Sequence, residues 1–336
     1  MKILVRGTNW IGDAVMSVAA LRELRRIFPD ATITLHTRTW ADGLFGDADF
    51  IDELVTFDKS RSKIKDVYDN SQFLRDDGYD LAVLLPNSFE SALTTFLTRI
   101  PRRFGYNKDV RGLLLTDPIA VPEWKNRRHE TFYYLNLIAE IERRMLGRDT
   151  VSQAIPDVTL SVSEERKTAA RAFLKDAGLV PGKKTLAFGV GSKNSVVKRW
   201  PAERYAELND RLQTELGCSV VLVGSKEESD IAAEVMRSCK VAPFDLTGKT
   251  DLGEAIAILS VVDLLISNDM GLAHAAPATG TPTLVIFGPT NPETTRPFSP
   301  NAEVLQNTDG SKLWSTVDEV FQAAQRALTP VPEYVE

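Results

Sequence analysis

Three short segments of the chain carry side chains that could take part in a group-transfer reaction. Asp13 stands where an apolar segment gives way to a helical pattern, and a carboxylate there can act as general base toward a hydroxyl. Lys198 and Arg199 follow a Gly-rich loop and precede a helix, so their charges could neutralise a diphosphate. The segment 268–271 (NDMG) follows an apolar run, and His274 lies about one helical turn beyond it. The glycine in that segment lets a ligand approach the backbone, and the N–H groups of the next helix can receive an anion.

Each of these segments also has a structural interpretation. An aspartate in the first turn of a helix often stabilises the helix end, as Asp13 would. A basic loop is often only a solvated surface, and a turn between strand and helix often needs Gly and Asn. Other chemistries have less support, because Gly7 and Gly12 do not form a G-x-G-x-x-G pattern and no cluster has metal-ligand spacing. His36 and His129 stand alone, which favours structural roles for both.

The elements that must position these residues alternate between strand and helix along the whole chain. Apolar runs of strand length occur at 2–7, 79–86, 184–190, 218–224, 261–267 and 283–288. Such alternation predicts parallel sheets with helices on both faces, in which ligands bind at the carboxyl ends of the strands. The pattern pauses at Gly147–Val158 and then starts again, so we predict two domains, 1–155 and 160–314. The predicted fold class is α/β, with two Rossmann-like doubly wound domains facing one another across a cleft.

Composition excludes several classes of protein. The net charge of −6 argues against a nucleic-acid partner. Residues 1–150 carry 22 basic and 22 acidic residues, which leaves 18 against 24 for the remainder. The two cysteines, Cys218 and Cys239, belong to no metal motif and are predicted to be reduced thiols. The start MKILVRG leads into a strand and no apolar run could span a bilayer, so we expect a cytoplasmic protein.

One segment of the first half is basic and poor in periodicity. Residues 99–128 contain eight Lys or Arg against three acids, with several prolines, and are predicted to form loops and short strands. Such a run is usually a solvated face. Its concentration in one region favours contact with an anionic partner, such as a phosphorylated glycolipid or a membrane surface.

The chain resembles a known family over nearly its whole length. The opening ILVRGTNWIGDAVMSVAALRELRRIFPDATITLHT, the motif KRWP and the later NDMGLAHAAPATGTPTLVIFGPTNP resemble the ADP-heptose:lipopolysaccharide heptosyltransferases of glycosyltransferase family 9. The turn NWIGD and the motif KRWP resemble the type II branch most. The resemblance implies a GT-B fold, in which the first domain binds the acceptor and the second binds the donor.

The resemblance also implies an activity. It is an inverting, metal-independent transfer of heptose from ADP-L-glycero-D-manno-heptose to the inner-core heptose of lipopolysaccharide, with ADP as product and no cofactor. Asp13 matches the catalytic base of the family, and Lys198 the lysine that neutralises the diphosphate. Glu227 or Glu228 would contact the ribose. The expected donor-binding residues are Ser192, Asn194, Ser195, Lys198, Glu227, Glu228, Asp269, Met270, Gly271 and His274. The expected acceptor-binding residues are Asn9, Trp10, Arg99, Arg102, Arg103 and Arg111.

Other features of the chain bear on this assignment. Met270 stands where the family usually has Ser or Thr, and 189–191 (GVG) replaces a commoner Pro-Gly-Ala. Pro277 is expected to shorten or kink the donor-site helix. The resemblance suggests that a last helix, 315–336, packs back on the first domain. Expected partners are ADP-heptose, a phosphorylated inner-core acceptor of heptose, Kdo and lipid A, and, peripherally, the inner face of the inner membrane.

Three alternatives remain open from the sequence. The first is heptosyltransferase I or another family 9 transferase with a different acceptor or donor. The second is a sugar-nucleotide epimerase of similar architecture, which would need further acid and base residues near Asp13. The third is a binding module without activity. Loss of Asp13 or Lys198 would have indicated such a module, but both residues are present.

Overall fold

The structure is a computed structural model that describes residues 1–192, 196–288, 290–307 and 313–329. The chain divides into two compact units. The first contains Met1–Leu160 together with Glu293–Thr295, and the second contains Ser161–Pro292 and the chain from Arg296 onward. The division after Leu160 falls close to the predicted boundary.

The first unit is a parallel sheet covered by helices. Its strands are β1 (Lys2–Arg6), β2 (Thr32–Arg38), β3 (Glu53–Phe57), β4 (Leu81–Leu84), β5 (Arg102–Tyr106) and β6 (Asp117–Ile119). Its helices are α1 (Ile11–Met16), α2 (Val18–Ile27), α3 (Asp42–Phe45), α4 (Lys63–Arg75), α5 (Phe89–Leu97) and α6 (Glu130–Leu146). The strands lie in the order β3-β2-β1-β4-β5-β6. The chain thus adds strands on one side of β1 up to β3 and then on its other side from β4 onward, so the order reverses between β1 and β4.

The second unit repeats this architecture. Its strands are β7 (Thr185–Gly189), β8 (Ser219–Leu222), β9 (Phe244–Asp245), β10 (Leu264–Asn268), β11 (Thr283–Phe287) and β12 (Ala302–Gln306). The helices that follow α6 in the chain are α7 (Glu164–Asp176), α8 (Ala202–Glu215), α9 (Ser229–Ser238), α10 (Leu252–Leu259), α11 (Gly271–Ala278), α12 (Pro292–Thr295) and α13 (Val317–Leu328). The strand order β12-β11-β10-β7-β8-β9 reverses between β10 and β7.

These reversals matter because ligands of open α/β sheets bind beyond the carboxyl ends of the strands where the order reverses. The pairs β1–β4 and β7–β10 are both parallel, so their carboxyl ends lie at one edge of each sheet. Every residue of β4, β10 and β11 is buried, as expected for strands covered by helices on both faces. Continuous apolar runs in the sequence therefore predicted these central strands well.

Two helices differ from the sequence prediction. The first predicted helix is divided at Ser17 into α1 and α2, and the Ser17 hydroxyl donates to the carbonyl of Ala14 at 2.8 Å. A serine side chain competes for backbone groups in this way and bends a helix. The last helix was expected to run over 315–336 and to pack on the first domain. Its described part, α13, packs on α8 and the core of the second unit, and residues 330–336 lie outside the described residues.

Pro277, which was expected to shorten or kink the donor-site helix, lies near the end of α11. It lies in the last turn of α11, which ends one residue later at Ala278. α11 has eight residues, and the chain leaves it through Gly280, whose φ of 95° is the left-handed conformation that commonly follows the end of a helix. Within the part of the chain that the structure describes, no helix is both long and apolar enough to cross a membrane.

Candidate functional site

Asp13 lies in the first turn of α1, just beyond the carboxyl end of β1, where the order of the first sheet reverses. Its side chain is partly buried, and the hydroxyl of Tyr134 donates a hydrogen bond of 3.0 Å to Oδ1. Across the described ranges this is the one hydrogen bond that the Asp13 carboxylate receives from a side chain. Oδ2 therefore keeps its lone pairs for another donor.

The surroundings of Asp13 make its carboxylate more basic. Burial raises the pKa of the Asp13 carboxyl above its ordinary value, and the negative charge of Glu130 raises it further. The hydrogen bond from Tyr134 and the charge of Lys125 lower that pKa but do not cancel the effect of burial. A carboxylate of raised pKa takes up a proton more readily, which is what a general base must do.

Tyr134 is held in place by aromatic packing at the start of α6. The side chain is buried, and burial raises the pKa of its phenol well above the ordinary value, so the hydroxyl keeps its proton. The neighbouring Tyr133 stacks on Tyr106 of β5 with 4.0 Å between ring centroids, and the Tyr106 hydroxyl donates to the Tyr133 carbonyl at 2.7 Å. These contacts fix the register of α6 against the sheet and thus the direction of Tyr134.

Glu130 and Lys125 form an ion pair beside this site. Glu130 opens α6, and the Lys125 ammonium also lies 4.3 Å from the ring centroid of Tyr133. The pair brings one negative and one positive charge close to Asp13, with opposite effects on the pKa of its carboxyl. Small changes in this pair should therefore tune the basicity of Asp13.

Asn9 and Trp10 precede α1 and lie on the same turn as Asp13. Trp10 is 58% exposed, and its carbonyl accepts the first helical hydrogen bond, from Ala14 N, at 2.9 Å. Asn9 is half-buried. Both are placed where a ligand of Asp13 could reach them, which agrees with the predicted acceptor role without testing it.

The four arginines assigned to the acceptor have very different surroundings. Arg111 is fully buried, and its guanidinium donates to the carbonyls of Tyr106 and Pro86 and to the Asn87 side chain. Burial lowers the pKa of Arg111 to about 10. Arg102 binds both carboxylate oxygens of Asp117 at 2.8 and 2.7 Å.

Arg103 donates to the carbonyls of Leu114 and Ile100, whereas Arg99 is exposed. The guanidinium groups of Arg102, Arg103 and Arg111 thus tie the segments around β5 together. Of the four arginines, Arg99 alone has an exposed side chain that makes no hydrogen bond to another described residue.

In the second unit, Lys198 and Asp269 meet at the carboxyl edge of the sheet. The Lys198 ammonium lies 2.5 Å from Oδ2 of Asp269. Lys198 follows β7 and Asp269 follows β10, the two strands between which the order of this sheet reverses. The Asp269 carboxylate is 7% exposed and the Lys198 side chain 30%, so the ammonium can present its remaining N–H groups to a ligand.

Asn268 connects the loops that carry this pair. Its side-chain oxygen accepts from the backbone N–H of Trp200 at 2.9 Å, and its amide nitrogen donates to the carbonyl of Val190 at 2.8 Å. Trp200 is fully buried and packs edge-on against Tyr205 with 5.0 Å between ring centroids. The motif KRWP is thus anchored by its tryptophan, which fixes the position of Lys198 on the chain beside it.

The helix after Asp269 begins without a side-chain cap. Met270 is its N-cap residue in an extended conformation, and the Met270 side chain makes no cap hydrogen bond. Met270 also packs against an apolar cluster that contains Ala273. Gly271 is the first helical residue, and His274 is buried in the same helix. The first turn of α11 therefore offers backbone donors next to the Lys198 ammonium.

Glu227 and Glu228 differ although they are adjacent. Glu227 is exposed, whereas Glu228 is buried and accepts from the backbone N–H of Ser225 at 2.8 Å, which closes a capping box. The other Glu228 oxygen, Oε1, would lie only 1.9 Å from a Cβ added at Gly191. Gly191 is thus required for the buried carboxylate, and Glu227 is the better placed of the two to meet a ligand from solvent.

The remaining predicted donor residues belong to the loop after β7. Ser192 is buried, and its carbonyl accepts from the Arg199 guanidinium at 3.1 Å. Asn194 and Ser195 lie outside the described residues. Within the described ranges, no three His, Cys, Asp or Glu side chains are grouped so that they could hold a metal ion.

Sequence reasoning missed several residues of these two sites. Tyr134, Glu130 and Lys125 contact or influence Asp13 from more than a hundred residues away, and no local motif links them. Thr290, whose hydroxyl lies 3.5 Å from Asp269 Oδ2, was visible only as part of a polar loop after β11. The anchoring role of Asn268 could have been inferred, because a polar residue at the end of an apolar strand needs hydrogen-bond partners.

Comparison with known proteins gives these sites a context. Residues 68–319 match the model of glycosyltransferase family 9, described as heptosyltransferase. Lipooligosaccharide heptosyltransferase 2 of Haemophilus ducreyi is 30% identical over 98% of this chain and 96% of its own length. Lipopolysaccharide heptosyltransferase 2 of Salmonella typhimurium is 30% identical over 92% and 89%.

A solved structure agrees with these relatives. The E. coli ADP-heptose lipopolysaccharide heptosyltransferase II superposes with a TM-score of 0.85 at 28% identity and covers 98% of both chains. The prediction of an α/β, GT-B fold is thereby confirmed. The predicted cleft and the predicted roles of individual residues stay predictions.

Proposed function

Because this chain belongs to glycosyltransferase family 9, whose members are heptosyltransferases, we propose that it transfers heptose from ADP-L-glycero-D-manno-heptose to the inner-core heptose of lipopolysaccharide. The proposal includes inversion at the anomeric carbon, Asp13 as general base and no requirement for a metal. The names of the relatives support the donor and acceptor classes, and the surroundings of Asp13 support the mechanism.

The observation on which the proposal mainly rests is the state of the Asp13 carboxylate. It is partly buried at the strand end where an α/β sheet binds ligands, and its pKa is raised by burial. Among the described side chains it accepts one hydrogen bond, from the phenol of Tyr134, and it forms no ion pair within 4.0 Å with a described cation. Such a carboxylate is suited to accept a proton.

The proposed reaction is a direct displacement. The acceptor hydroxyl oxygen forms a bond to the anomeric carbon of heptose while Asp13 takes the hydroxyl proton. The bond between the anomeric carbon and the diphosphate oxygen breaks, and ADP leaves with the bonding electrons. Attack on the face opposite the leaving group inverts the anomeric configuration. Asp13 ends the step as a carboxylic acid and returns its proton to solvent.

The donor diphosphate is proposed to lie against Lys198 and the start of α11. The ammonium and the uncapped N–H groups of α11 would stabilise the charge that develops on departing ADP. Asp269 fixes the ammonium at 2.5 Å and reduces the cost of holding a partly buried cation while no donor is present. Glu227 is proposed to contact the ribose, since Glu228 is engaged in the capping box.

The acceptor is proposed to contact Asn9, Trp10 and Arg99. Arg102, Arg103 and Arg111 are proposed to act less directly, because their guanidinium groups are engaged in bonds within the first unit. In that role they support the segments around β5 on which the acceptor region is built.

A surface of the first unit supports peripheral contact with a membrane. Five large apolar side chains of α5 and the segment after β5 are exposed by 37% to 87%, namely Phe89, Phe96, Leu97, Val110 and Leu113. Arg99 and Lys108 lie among them in the chain and are also exposed. An apolar patch with cations at its rim is what an anionic lipid surface binds. We refer to these five residues as the α5 patch.

The experiment that tests the proposed function is an assay of ADP release. ADP-heptose is incubated with purified protein and with each of three mixtures: no acceptor, an acceptor of Kdo and lipid A, or the same acceptor already carrying one heptose. Release only with the heptose-bearing acceptor is the expected result. Release only with the acceptor that lacks heptose would move the assignment to heptosyltransferase I.

The same assay separates the other classes of function. Epimerisation of the nucleotide sugar without acceptor, followed by NMR, would replace the transferase by an epimerase. Binding of ADP-heptose without release or epimerisation, with every acceptor tested, would indicate a binding module. In either case the proposed function is wrong.

A further inference from the structure

Three residues close to one another end the first three strands of the first unit. Arg6 is the last residue of β1, Arg38 of β2 and Phe57 of β3. In the parallel register Arg6 pairs with His36, and Arg38 pairs with Phe57, so these four side chains share one face of the sheet. They lie at the carboxyl edge of that sheet, the edge at which Asp13 also lies.

Both guanidinium groups lie over the same aromatic ring. The Arg6 guanidinium carbon is 4.1 Å from the centroid of the Phe57 ring, and that of Arg38 is 5.3 Å away. His36 packs against the same ring with 4.7 Å between centroids. The phenylalanine thus holds two cations near one another, an arrangement that an anion between them would stabilise.

The hydrogen-bonding capacity of these arginines is largely unused. Arg6 is 4% exposed and donates from Nη1 to the carbonyl of His36 at 3.0 Å, while its buried Nε has no hydrogen-bond partner among the described residues. Nη1 of Arg38 is likewise buried without a partner. Buried N–H groups without partners are rare because each costs the full free energy of its lost hydration.

The charged groups of the surrounding elements do not fill this need. Glu90 of α5 interacts with Arg6 through space, and Asp66 of α4 interacts with Arg38, but no ion pair within 4.0 Å joins them in the described ranges. Both oxygens of Asp66 instead accept from the backbone N–H of Ser60. The guanidinium groups of Arg6 and Arg38, both partly removed from water, are therefore not bound to a carboxylate within the described residues.

The imidazole of His36 adds no charge to this group of side chains. Burial, and secondly the charge of Arg6, lower the pKa of His36 to about 3, so the ring is neutral at physiological pH. Its Nε2 meets the side-chain oxygen of Asn70 of α4 at 3.0 Å. Burial also lowers the pKa of Arg6 to about 10, which still leaves the guanidinium charged at neutral pH.

We infer that Arg6 and Arg38 bind an anionic group, a carboxylate or a phosphate, of the acceptor at the carboxyl edge of the sheet, the edge at which Asp13 also lies. Guanidinium groups recognise both anions through paired N–H donors, and the unused donors of Arg6 and Arg38 are of this kind. Arg6 ends β1, and Asp13 follows seven residues later in the first turn of α1. An acid group held here would fix the position of a neighbouring hydroxyl. The inference rests on the proposed function for the identity of the acceptor, but not for the existence of an anion site.

The test measures binding, without donor or turnover. A soluble acceptor oligosaccharide, deacylated and carrying both phosphate and carboxylate, is titrated calorimetrically into wild type, Arg38→Gln, Arg6→Gln and the control Arg75→Gln. Arg75 is an exposed arginine at the far end of α4 and serves as the matched control. Two further titrations use the oligosaccharide after phosphatase treatment and after reduction of its carboxyl group.

We expect Arg38→Gln to weaken binding about 10- to 100-fold, the effect of one hydrogen bond to a charged group, while Arg75→Gln binds like wild type. With one of the two treated acceptors the difference between wild type and Arg38→Gln should vanish, which identifies the anion as phosphate or carboxylate. If Arg38→Gln weakens binding of all three acceptors equally, or of none, the inference is wrong. Arg38 is half-buried, so this variant remains informative if Arg6→Gln does not fold.

A second measurement is independent of the proposed function. Orthophosphate is titrated into protein with 15N-labelled arginine, and the Nε–H resonance of Arg6 is followed by NMR. A saturable shift in wild type and in Arg75→Gln that is lost in Arg38→Gln supports the site even if the chain transfers no heptose. The absence of a shift in wild type, both with orthophosphate and with acetate titrated in the same way, would overturn the site, whatever the enzyme assay shows.

Discussion

The Lys198 ammonium and the Asp269 carboxylate lie 2.5 Å apart at the carboxyl ends of β7 and β10. A second lysine and aspartate, Lys184 and Asp263, form an ion pair of 2.7 Å just before the same two strands begin. Within the described residues, a Lys–Asp pair therefore lies at the amino ends of β7 and β10 and another at their carboxyl ends. Only the pair at the carboxyl edge lies where α/β sheets bind ligands, which makes the other pair its natural control.

The first prediction compares these two pairs. We expect Lys198→Gln to lower kcat/KM for ADP-heptose about 10²- to 10³-fold, the usual loss when one donor to a developing oxyanion is removed. Lys184→Gln removes the same charge from an exposed surface pair and should leave kcat/KM unchanged. Steady-state kinetics with varied donor gives the comparison. Equal losses in both variants would show that the effect is one of overall charge and not of position.

The second prediction concerns the pH dependence of the reaction. A general base works while deprotonated, so activity falls as pH decreases through the pKa of Asp13. Glu130 raises that pKa, and its removal would also free Lys125, which lowers it. We therefore expect Glu130→Gln to move the acidic limb of the profile of kcat/KM against pH to lower pH. If the acidic limb stays in place or moves to higher pH, Glu130 does not raise the pKa of the titrating group.

The third prediction is the opposite shift. The hydrogen bond from Tyr134 stabilises the Asp13 carboxylate and lowers its pKa. Tyr134→Phe removes this bond and should move the acidic limb to higher pH, so that the loss of activity is larger at pH 6 than at pH 8. Tyr133→Phe is a suitable control, because the Tyr133 hydroxyl bonds Asn87 and not Asp13. A loss in Tyr134→Phe that is the same at all pH values would assign the phenol a purely structural role.

The fourth prediction concerns stability. The pKa of His36 is lowered to about 3 in the folded protein, whereas in the unfolded chain it is about 6.5. The unfolded state therefore binds more protons between these values, and the contribution of His36 to stability is full above pH 6.5 and is lost as pH falls toward 3. The slope from this residue is at most about 1.4 kcal/mol per pH unit. Denaturant unfolding of His36→Gln should show a weaker loss of stability between pH 6.5 and 4 than wild type.

The fifth prediction concerns the α5 patch. Replacing Phe96 and Leu113 by serine should reduce sedimentation of the protein with vesicles of anionic phospholipid, because both side chains are exposed apolar surface. Activity on a soluble, deacylated acceptor should stay the same. Val180 and Ile155, which are also exposed apolar residues and lie outside the α5 patch, serve as the control. Equal vesicle binding by all variants would exclude the patch as the lipid contact.

The sequence predicted most of the fold, for identifiable physical reasons. Strands buried on both faces are continuous apolar runs, and β4, β10 and β11 were recognised in that way. Features that depend on individual side-chain hydrogen bonds were harder to predict. The break at Ser17 depends on one side-chain hydrogen bond. The position of α13 depends on the Trp200 indole, which donates to the Ser315 carbonyl at 2.9 Å.

The candidate sites were predicted in part. Asp13, Lys198 and Asp269 were found because each follows a strand in the chain, and parallel strands bring their carboxyl ends to one edge. The pairing of Lys198 with Asp269 was not predicted, since it depends on which strands are neighbours. Arg111 looked like a ligand for an anion because it lies in a basic segment, yet its side chain is fully buried and bonded to backbone carbonyls. The charge of a residue is evident from the sequence, whereas its burial depends on how the chain folds.

Asp13→Asn tests the central claim most directly, because the change keeps the shape of the side chain and removes its ability to take a proton. ADP release with ADP-heptose and the heptose-bearing acceptor is measured for wild type and for this variant, with EDTA present. We predict acceptor-dependent release by wild type at an undiminished rate in EDTA, and a fall of at least about 10²-fold in the variant, while calorimetric binding of ADP is unchanged. Release that survives in Asp13→Asn would contradict the assignment of Asp13 as base, and release that EDTA abolishes would contradict metal independence.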